Sequence, residues 1–466
     1  MTDLSARTTA IPGLLVLTLP VHGDNRGWFK ENWQREKMVA LGLPDFTPVQ
    51  NNVSFNAKRG ATRGIHAEPW DKLVSVATGR IFGAWVDLRE GDTFGTVVTV
   101  EMGPDTAVFV PRGVGNSYQT LTDEVAYSYL VNDHWSAEAR ASYLFLNLAD
   151  ETAAVPWPVP LAEAELSDAD KAHPRLSEVT PFPRRRTLVL GGRGQLGTAL
   201  AQALPDAHVV GRDEVDLADP ASLAAVPWSR YDVVVNAAAH TAVDAAETPD
   251  GRREAWAVNV AAVGTLVEHV RAAGATLVHL SSDYVFDGTI GDHVEDEPFS
   301  PLGVYGQTKA AGDALVATLP RHYVVRTSWV VGEGKNFVRT MAGLADRGVS
   351  PSVIDDQVGR LSFTDEIARG IVHLVATGAP SGTYNLTGGG DPTSWADLAR
   401  AVYVARGRDA ADVTPLSTEQ YLDGKDGVAP RPSLSTLDLT KVRAAGFDPR
   451  DAADSLRDYL DALPPA

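Results

Sequence analysis

The sequence predicts two domains of different class: an all-β barrel or jelly roll, then an α/β domain with a doubly wound parallel sheet and a small lobe behind it. Three observations carry that reading. The chain has 466 residues, more than one ordinary core accommodates. Up to about Val131 it is a series of short β-rich runs broken by Gly, Asp, Asn and Pro, whereas after Pro183 apolar strands alternate with helix-length stretches. The change falls beside TLVLGGRGQLG (residues 187–197), a strand-turn-helix glycine signature that stands far from the N-terminus.

Composition narrows the function classes. Hydrophobic residues at 44% and charged residues at 22% supply material for two cores and carry no signature of disorder. The net charge of -19 is shared by both halves, which disfavours nucleic acid and anionic lipid, so an anionic substrate has to be gathered by local arginines and lysines. With no cysteine, disulfides, thiolate metal sites and cysteine nucleophiles are excluded. The opening stretch MTDLSARTTAIPGLLVLTLP lacks the basic region and continuous apolar core of a secretory signal, and no run reaches membrane-spanning length. A cytoplasmic location is expected.

In the first domain GLLVLTLPV, RIFGAWVDLR, GTVVTVEMG, TAVFVPRGVG and VAYSYLVN read as strands, because β-branched and aromatic residues recur between turn residues. Residues 149–173, rich in Pro, Ala and acidic groups, are expected to wrap the barrel with little regular structure. The boundaries expected are residues 1–173 for the barrel, 174–186 (PRLSEVTPFPRRR) for a linker and 187–466 for the α/β domain. There, residues 188–190 form a first buried strand, and AHVVGR, YDVVVNAAA, ATLVHLSSD, HYVVRTSW and PSVIDD read as further strands. EAWAVNVAAVGTLVEHVRAAG has helical spacing and a closing Gly. From about Ser381 a mixture of helices and loops is expected to form the lobe on the substrate side.

The glycine spacing has a chemical reading. Gly191, Gly194 and Gly197 allow a tight turn and close approach of a pyrophosphate, and the helix starting near Gln195 offers it free N–H groups and a positive dipole end. Ser282 closes an apolar strand, while Tyr305 and Lys309 in YGQTK stand one helical turn apart. A phenol with an ordinary pKa of about 10 is a poor acid or base at neutral pH, and an adjacent ammonium stabilises its phenolate. The Ser282 hydroxyl can then hold the substrate oxygen that Tyr305 protonates.

Together with VVNAAAH (residues 234–240) and Asn259, these residues resemble the extended short-chain dehydrogenase/reductase superfamily, with its Rossmann fold. VNAAAHTAVDAAE, SSDYVFDG, SPLGVYGQTKAAGD, RTSWVVG, NFVRTM and RPSLSTLD resemble, more narrowly, the dTDP-4-dehydrorhamnose reductase family over residues 187–464. That resemblance implies hydride transfer from a nicotinamide to C4 of a 4-keto sugar nucleotide. It makes Tyr305 the proton donor, Lys309 the group that lowers its pKa and positions the ribose, and Ser282 the carbonyl-binding hydroxyl. Gly191, Gly194, Gly197, Gln195, Ala237, Ala238 and Asn259 fall at cofactor positions, Asp216 at the adenine contact, and Asp283, Trp329 and Arg431 at substrate positions. Sugar-nucleotide dehydratases of the superfamily carry Asp-Glu where this chain has Asp283 and Tyr284, which argues against elimination chemistry. Arg193 in the glycine turn and Arg212 after the second strand suit a 2′-phosphate, so NADPH is expected over NADH.

In the first domain His66 stands in TRGIHAE, six residues before Lys72. The cupin metal pattern needs a second histidine two residues on, where this chain has Glu68, so no metal site is expected. DNRGWFKE, QNNVSFNAKRGATRGIH, DKLVSVATG, VDLREGDTFG, VPRGVGNSYQ and LSDADKAHP resemble the dTDP-4-dehydrorhamnose 3,5-epimerase family, cupin-like barrels, over residues 11–174. Its chemistry is proton abstraction beside a ketone, which needs a base, an acid on the other face and a group stabilising the enolate. By that match His66 is the base, Asp170 orients it, Lys72 faces the enolate oxygen, Tyr129 is the proton donor, and Arg26 and Arg63 hold the diphosphate. The chain departs from the pattern in a shorter segment between His66 and Lys72, Asn116 for a histidine, Gly83 for an aspartate and Trp135 for a second tyrosine.

The resulting expectation is a bifunctional enzyme of dTDP-L-rhamnose synthesis, a homodimer through its barrel, acting on a dTDP-4-keto-6-deoxyhexose. Two alternatives stand beside it: a 4-ketoreductase whose barrel epimerises one position or only dimerises, and a nucleotide-binding regulatory subunit without turnover.

Overall fold

The computed structural model describes residues 3–44, 46–136, 139–183 and 186–464. The chain divides into two compact units, residues 1–184 and 185–466.

Two antiparallel sheets make the first unit. One has the strand order Ser5–Thr8, Leu15–Thr18, Thr106–Val110, Lys72–Thr78, Val125–Val131, Gln50–Asn56. The other runs Leu144–Leu146, Thr62–Ala67, Val114–Thr120, Ile81–Asp87, Val97–Met102. Every second residue of these strands turns inward, so Val74, Val76 and Val108 of one sheet share a core with Trp85, Val114 and Tyr118 of the other. Strands Lys72–Thr78 and Ile81–Asp87 are joined through Gly79, at φ 79°, where a Cβ would stand 2.7 Å from Val125 Cγ2. His66 lies on Thr62–Ala67 and Tyr129 on Val125–Val131, so the two sheets bring the expected base and acid from opposite sides.

Residues 149–173 hold a single short helix, Asp168–Lys171, capped by the Ser167 side chain accepting from Asp170 N. The stretch read as a linker is anchored at both ends rather than free. The carbonyl of Pro174 accepts from Asn147 N, Leu176 is buried, and Phe182 bridges to Arg89. At the other end Arg186 already belongs to the strand Arg186–Leu190. Arg184 and Arg185 of the basic cluster lie outside the described residues.

The second unit is built on a six-stranded parallel sheet in the order His208–Val210, Arg186–Leu190, Tyr231–Asn236, Thr276–Ser282, His322–Thr327, Gly382–Asn385. Neighbouring residues of one strand enter separate cores. Leu188, Val234, Leu277 and Val324 pack with the helix Ala262–Ala273, whereas Val189, Val235, Val278 and Val325 pack with Thr364–Ala376. Helices therefore cover both faces, which is why these strands read as unbroken apolar runs. The strand order reverses beside Arg186–Leu190, and the glycine turn leaves the carboxyl end of that strand.

Three elements differ from the sequence reading. PSVIDD is not in the central sheet: Ser352–Ile354 pairs in parallel with Thr414–Leu416 alone. The sixth strand is Gly382–Asn385, a four-residue segment inside the stretch assigned to the lobe, too short to show a period. The long helical stretch is two helices, Pro249–Trp256 and Ala262–Ala273, joined by a π-turn at Ala257–Ala261 and closed by Gly274 at φ 60°. A separate core of the lobe joins Phe337–Asp346, Trp395–Ala405 and Ala452–Ala462 through Val338, Met341, Val402 and Leu456. Among the described residues no helix is long and apolar enough to cross a membrane.

Candidate active sites

In the first unit a pocket of about 390 Å³ is lined by residues that include His66, Glu68, Trp70, Tyr129, Trp135 and Tyr143. His66 Nε2 lies 3.3 Å from Asp170 Oδ1, so the short capped helix delivers the carboxylate to the imidazole. Burial works to raise the Asp170 carboxyl, but His66 and Ser167 outweigh it and hold the group below the usual carboxylate range. Lys72, almost fully buried, forms an ion pair with Glu68 and stands 5.8 Å from the Tyr129 ring centre. Burial raises the Tyr129 phenol, and the Glu68 charge adds to it, so this hydroxyl keeps its proton at neutral pH.

Arg26 and Arg63 do not line this pocket, although the Arg63 charge acts on the Tyr129 phenol. Arg26 is solvent-exposed on the hairpin Val21–Asp24/Gly27–Lys30 and pairs with Asp24, while Arg63 donates to Asn56 Oδ1 at 3.0 and 3.2 Å. The departures from the family pattern have local reasons. Asn116 Oδ1 accepts from Trp85 Nε1 at 2.9 Å and from the Tyr127 hydroxyl at 3.1 Å, and a Cβ at Gly83 would stand 2.4 Å from the Trp85 ring. The sequence reading passed over Tyr143 and His173, and took Glu68 only as the residue that breaks the cupin metal pattern. Glu68 was visible as a carboxylate four residues from Lys72, and His173 as a histidine three residues after Asp170. His173 sits edge-on to His66 at 5.4 Å, and burial together with His66 holds its pKa below the ordinary value.

In the second unit Gly191 has φ 85°, and a Cβ there would come within 2.8 Å of Ala238 N. A Cβ at Gly197 would stand 2.2 Å from Gly191 O, so this glycine lets the helix Gln195–Ala203 close onto the turn. Gly194 is the N-cap and supplies no side-chain cap, which leaves the first N–H groups of a nine-residue helix pointing over the turn. This cradle of backbone fits a dinucleotide pyrophosphate. Arg193 pairs with Asp213 and Arg212 with Asp216, both arginines largely in solvent. Asp216 also accepts from Ala218 N, and Gln195 Nε2 donates to Lys335 O at 3.2 Å.

Ser282, Tyr305 and Lys309 converge at the end of Thr276–Ser282 and the start of the helix Val304–Val316. The Ser282 hydroxyl donates to Asp283 Oδ1 at 2.8 Å and accepts from Tyr284 N. Burial raises the Tyr305 phenol well above its ordinary value, with the Asp283 charge adding and Ser282 opposing. Burial lowers the Lys309 ammonium to about 8 and raises Asp283 to about 6. Lys309 Nζ donates to Leu280 O at 2.5 Å and lies 3.3 Å from His279 Nε2. Asn259, in the π-turn, accepts from His240 N at 2.8 Å and donates to His240 O and to Thr308 Oγ1, tying the loop after Tyr231–Asn236 to the helix of Tyr305. His279 went unremarked in the sequence, where a histidine inside the apolar run LVHL was its only signal.

Beyond Tyr305 a pocket of about 580 Å³ is lined by Tyr284, Trp329, Trp395, Arg431 and Ser435 among others. Tyr284 stands edge-on to Tyr305 at 5.4 Å, so the pocket adjoins Tyr305. Trp329, held at φ 45°, stacks on Trp395 with centroids 3.6 Å apart; a Cβ at Gly359 would intrude on it at 2.6 Å. Arg431 donates to Asp244 and to Ala429 O.

The fold and the two sites define a two-centre enzyme, with a proton-transfer site in an antiparallel β unit and an oxidoreductase site on a parallel sheet. The chain belongs to the dTDP-4-dehydrorhamnose reductase family through residues 185–464, matched by the RmlD substrate binding domain, and to the dTDP-4-dehydrorhamnose 3,5-epimerase family through residues 8–178. A protein RmlC homolog of Streptococcus pyogenes is 53% identical over 37% of this chain and 89% of its own length. A dTDP-4-dehydrorhamnose reductase of Streptomyces griseus is 39% identical over 58% of this chain and 91% of its own. Among solved structures, the dTDP-4-dehydrorhamnose reductase of Bacillus anthracis in complex with NADP is 28% identical, covering 60% of this chain and 99% of that one, with a TM-score of 0.55.

Proposed function

We propose that the chain is a bifunctional enzyme of dTDP-L-rhamnose synthesis. Its first unit, a cupin-like jelly roll (residues 1–173), epimerises dTDP-4-dehydro-6-deoxy-D-glucose at C3 and C5. Its second, a Rossmann-type reductase (residues 187–466), reduces C4 of the resulting dTDP-4-dehydro-L-rhamnose. The observation that carries this reading is that each unit keeps a proton-handling set at a pocket: His66 and Tyr129 line the first, with Asp170 against His66, and Ser282 and Tyr305 stand together beside the second.

In the barrel, His66 takes the proton beside the ketone, and Asp170 holds the imidazolium that forms. Lys72 faces the enolate oxygen, and Tyr129 returns a proton from the other sheet. Arg26 and Arg63, both outside the pocket in the single chain, bind the diphosphate in a homodimer. The edge strand Gln50–Asn56 exposes Val53 and Phe55 and the hairpin exposes Trp28 and Phe29, an apolar surface that supports dimerisation through this unit.

In the second unit the turn Gly191, Gly194, Gly197, with Gln195, Ala237, Ala238, Asn259 and Asp216, would hold NADPH, and Arg193 and Arg212 its 2′-phosphate. The bound nicotinamide supplies the hydride for C4. Ser282 orients the carbonyl oxygen, Tyr305 protonates it, and Lys309 binds the ribose and stabilises the phenolate left behind. Trp329, Arg431 and Asp283 line or border the sugar-nucleotide site. The enzyme works in the cytoplasm.

A single-vessel assay with dTDP-4-dehydro-6-deoxyglucose and NADPH tests the reading, with the product's stereochemistry read by NMR. L-Rhamnose is expected; a D-configured 6-deoxy sugar would reject the epimerase half, and no NADPH oxidation would reject the reductase half.

A further inference from the structure

Four polar contacts run in series from the glycine turn to Lys309, and their donors can be counted. Ala238 N donates to Asn236 Oδ1 at 3.2 Å, which turns the Asn236 NH₂ toward His279. Asn236 Nδ2 lies 3.1 Å from His279 Nδ1, so that ring nitrogen is the bare acceptor. His279 Nε2 lies 3.3 Å from Lys309 Nζ, and Nζ donates to Leu280 O. Asn236, His279 and Lys309 are at most 2% exposed, so bulk water does not relieve a mismatch along this chain.

A neutral imidazole has one N–H. With Nδ1 bare, the proton sits on Nε2 and points at Lys309, where only an uncharged amine has a lone pair to receive it. An ammonium in that place sets donor against donor. Charging Lys309 therefore requires the His279 proton to move to Nδ1, so that Nε2 can accept. The new Nδ1–H needs an acceptor, and Asn236 supplies one only by turning its amide over. Its NH₂ then faces Ala238 N, and that hydrogen bond is lost. Protonating both ring nitrogens is no escape, because burial and the Lys309 charge hold the imidazole far below its ordinary pKa.

We propose that Asn236 and His279 are positioning residues of a two-state relay, in which a charged Lys309 and the Ala238–Asn236 hydrogen bond exclude each other. The consequence is coupling. Charging Lys309 frees Ala238 N beside the Gly191 turn, where one more donor serves a bound phosphate, and a ribose hydroxyl accepting from Lys309 favours the ammonium. Dinucleotide binding and protonation of Lys309 then reinforce one another. This step rests on the reading of the turn as a nicotinamide dinucleotide site.

The ionisable groups around Lys309 set the range. Asp313, one turn along the helix, attracts the ammonium, although it is itself paired with Arg326 at 3.1 Å; Tyr305 lies one turn back beside Asp283. Burial outweighs Asp313 and places the midpoint at about 8. The cofactor-free protein thus carries the amine above that pH and the ammonium below it.

The test is NADPH binding to the full chain without sugar, followed by calorimetry in buffers of different ionisation enthalpy at three pH values spanning the midpoint. Proton uptake per site is expected to rise with pH, from a small fraction to most of one proton. Asn236→Asp, whose carboxylate only accepts, holds His279 as the Nδ1–H form and keeps Lys309 charged, so NADPH binds with no uptake. Uptake absent from the wild type, or retained in Asn236→Asp, overturns the relay. A second reading needs no ligand: ¹⁵N-histidine spectra of the cofactor-free protein, with His279 assigned through His279→Gln. They should show Nε2–H giving way to Nδ1–H as pH falls through the midpoint, and a single tautomer throughout overturns the relay even if Asn236→Asp does not fold. The expected tautomer exchange without any NADPH binding rejects the reductase reading instead and leaves the relay in place.

Discussion

The two catalytic centres handle charge in opposite ways. In the barrel the charged groups are paired: His66 lies against Asp170 and Lys72 against Glu68, beside a pocket that also receives the exposed Trp135. On the parallel sheet the corresponding groups are sunk without full compensation, with Asp283 raised to about 6, Lys309 lowered to about 8, and His279 held neutral. The difference follows from the chemistry. In the proposed reaction a base that abstracts a carbon-bound proton must exchange it with water, and His66 stands at a pocket wall with Asp170 against it. A phenol that protonates an oxygen only as hydride arrives must keep its proton until then, and burial of Tyr305 secures that.

The comparison breaks most visibly if the centres are not independent. His66→Asn removes the base and should lower solvent-deuterium incorporation at C3 and C5 on the order of 10²–10⁴-fold, the usual contribution of a positioned base. Reduction of dTDP-4-dehydro-L-rhamnose supplied ready-made should stay within about twofold of wild type. Tyr305→Phe should do the reverse, ending NADPH oxidation while deuterium exchange persists. A variant that silences both reactions refutes two separate centres.

Stability should respond with opposite sign in the two units. Glu68→Gln leaves the Lys72 ammonium buried and unpaired and should destabilise the barrel by about 3 kcal/mol in denaturant titration. Asp283→Asn removes a carboxylate whose folded pKa is raised from 3.8 to about 6. Between those values the folded state binds more protons than the unfolded one, so the Asp283 contribution to stability falls as pH rises through that window and is fully adverse at pH 7. Replacing it should stabilise the reductase unit at pH 7 by up to about 3 kcal/mol, with no gain at pH 3. Equal stability of wild type and Asp283→Asn at both pH values contradicts the buried charge.

Legibility in the sequence followed the range of the interaction. Strand alternation, the glycine turn and the Tyr305 to Lys309 spacing are local, and all three were readable. The sixth strand was not, since Gly382–Asn385 is specified by pairing with His322–Thr327 rather than by its own four residues. Site residues divide in the same way. Glu68, read only as a missing metal ligand, lies four positions from Lys72, and His173 three from Asp170, so both pairings were within reach of the sequence. His279 acts through Asn236, 43 positions away, and only the register of adjacent parallel strands, Asn236 beside His279, brings them together. Arg26 and Arg63 show the converse, since their motif match names a role although neither side chain lines the pocket of one chain.

The smallest expected effect concerns the cofactor's 2′ position. Arg193 and Arg212 are 75% and 81% exposed and are spent on Asp213 and Asp216. Exposed pairs of this kind are worth at most about 1 kcal/mol, so a 2′-phosphate can recruit either arginine at little cost. Arg212→Ala should therefore raise KM for NADPH about fivefold, the equivalent of about 1 kcal/mol, and leave KM for NADH within twofold. Arg193→Ala should cost more, because it also uncovers the Asp213 carboxylate, which repels the phosphate and can accept from a free 2′-hydroxyl. The ratio of the two cofactors' kcat/KM should then move toward NADH in Arg193→Ala and further toward NADPH in Asp213→Ala. Equal losses with both cofactors would show that these arginines act on the pyrophosphate or the fold, and that neither reads the 2′ position.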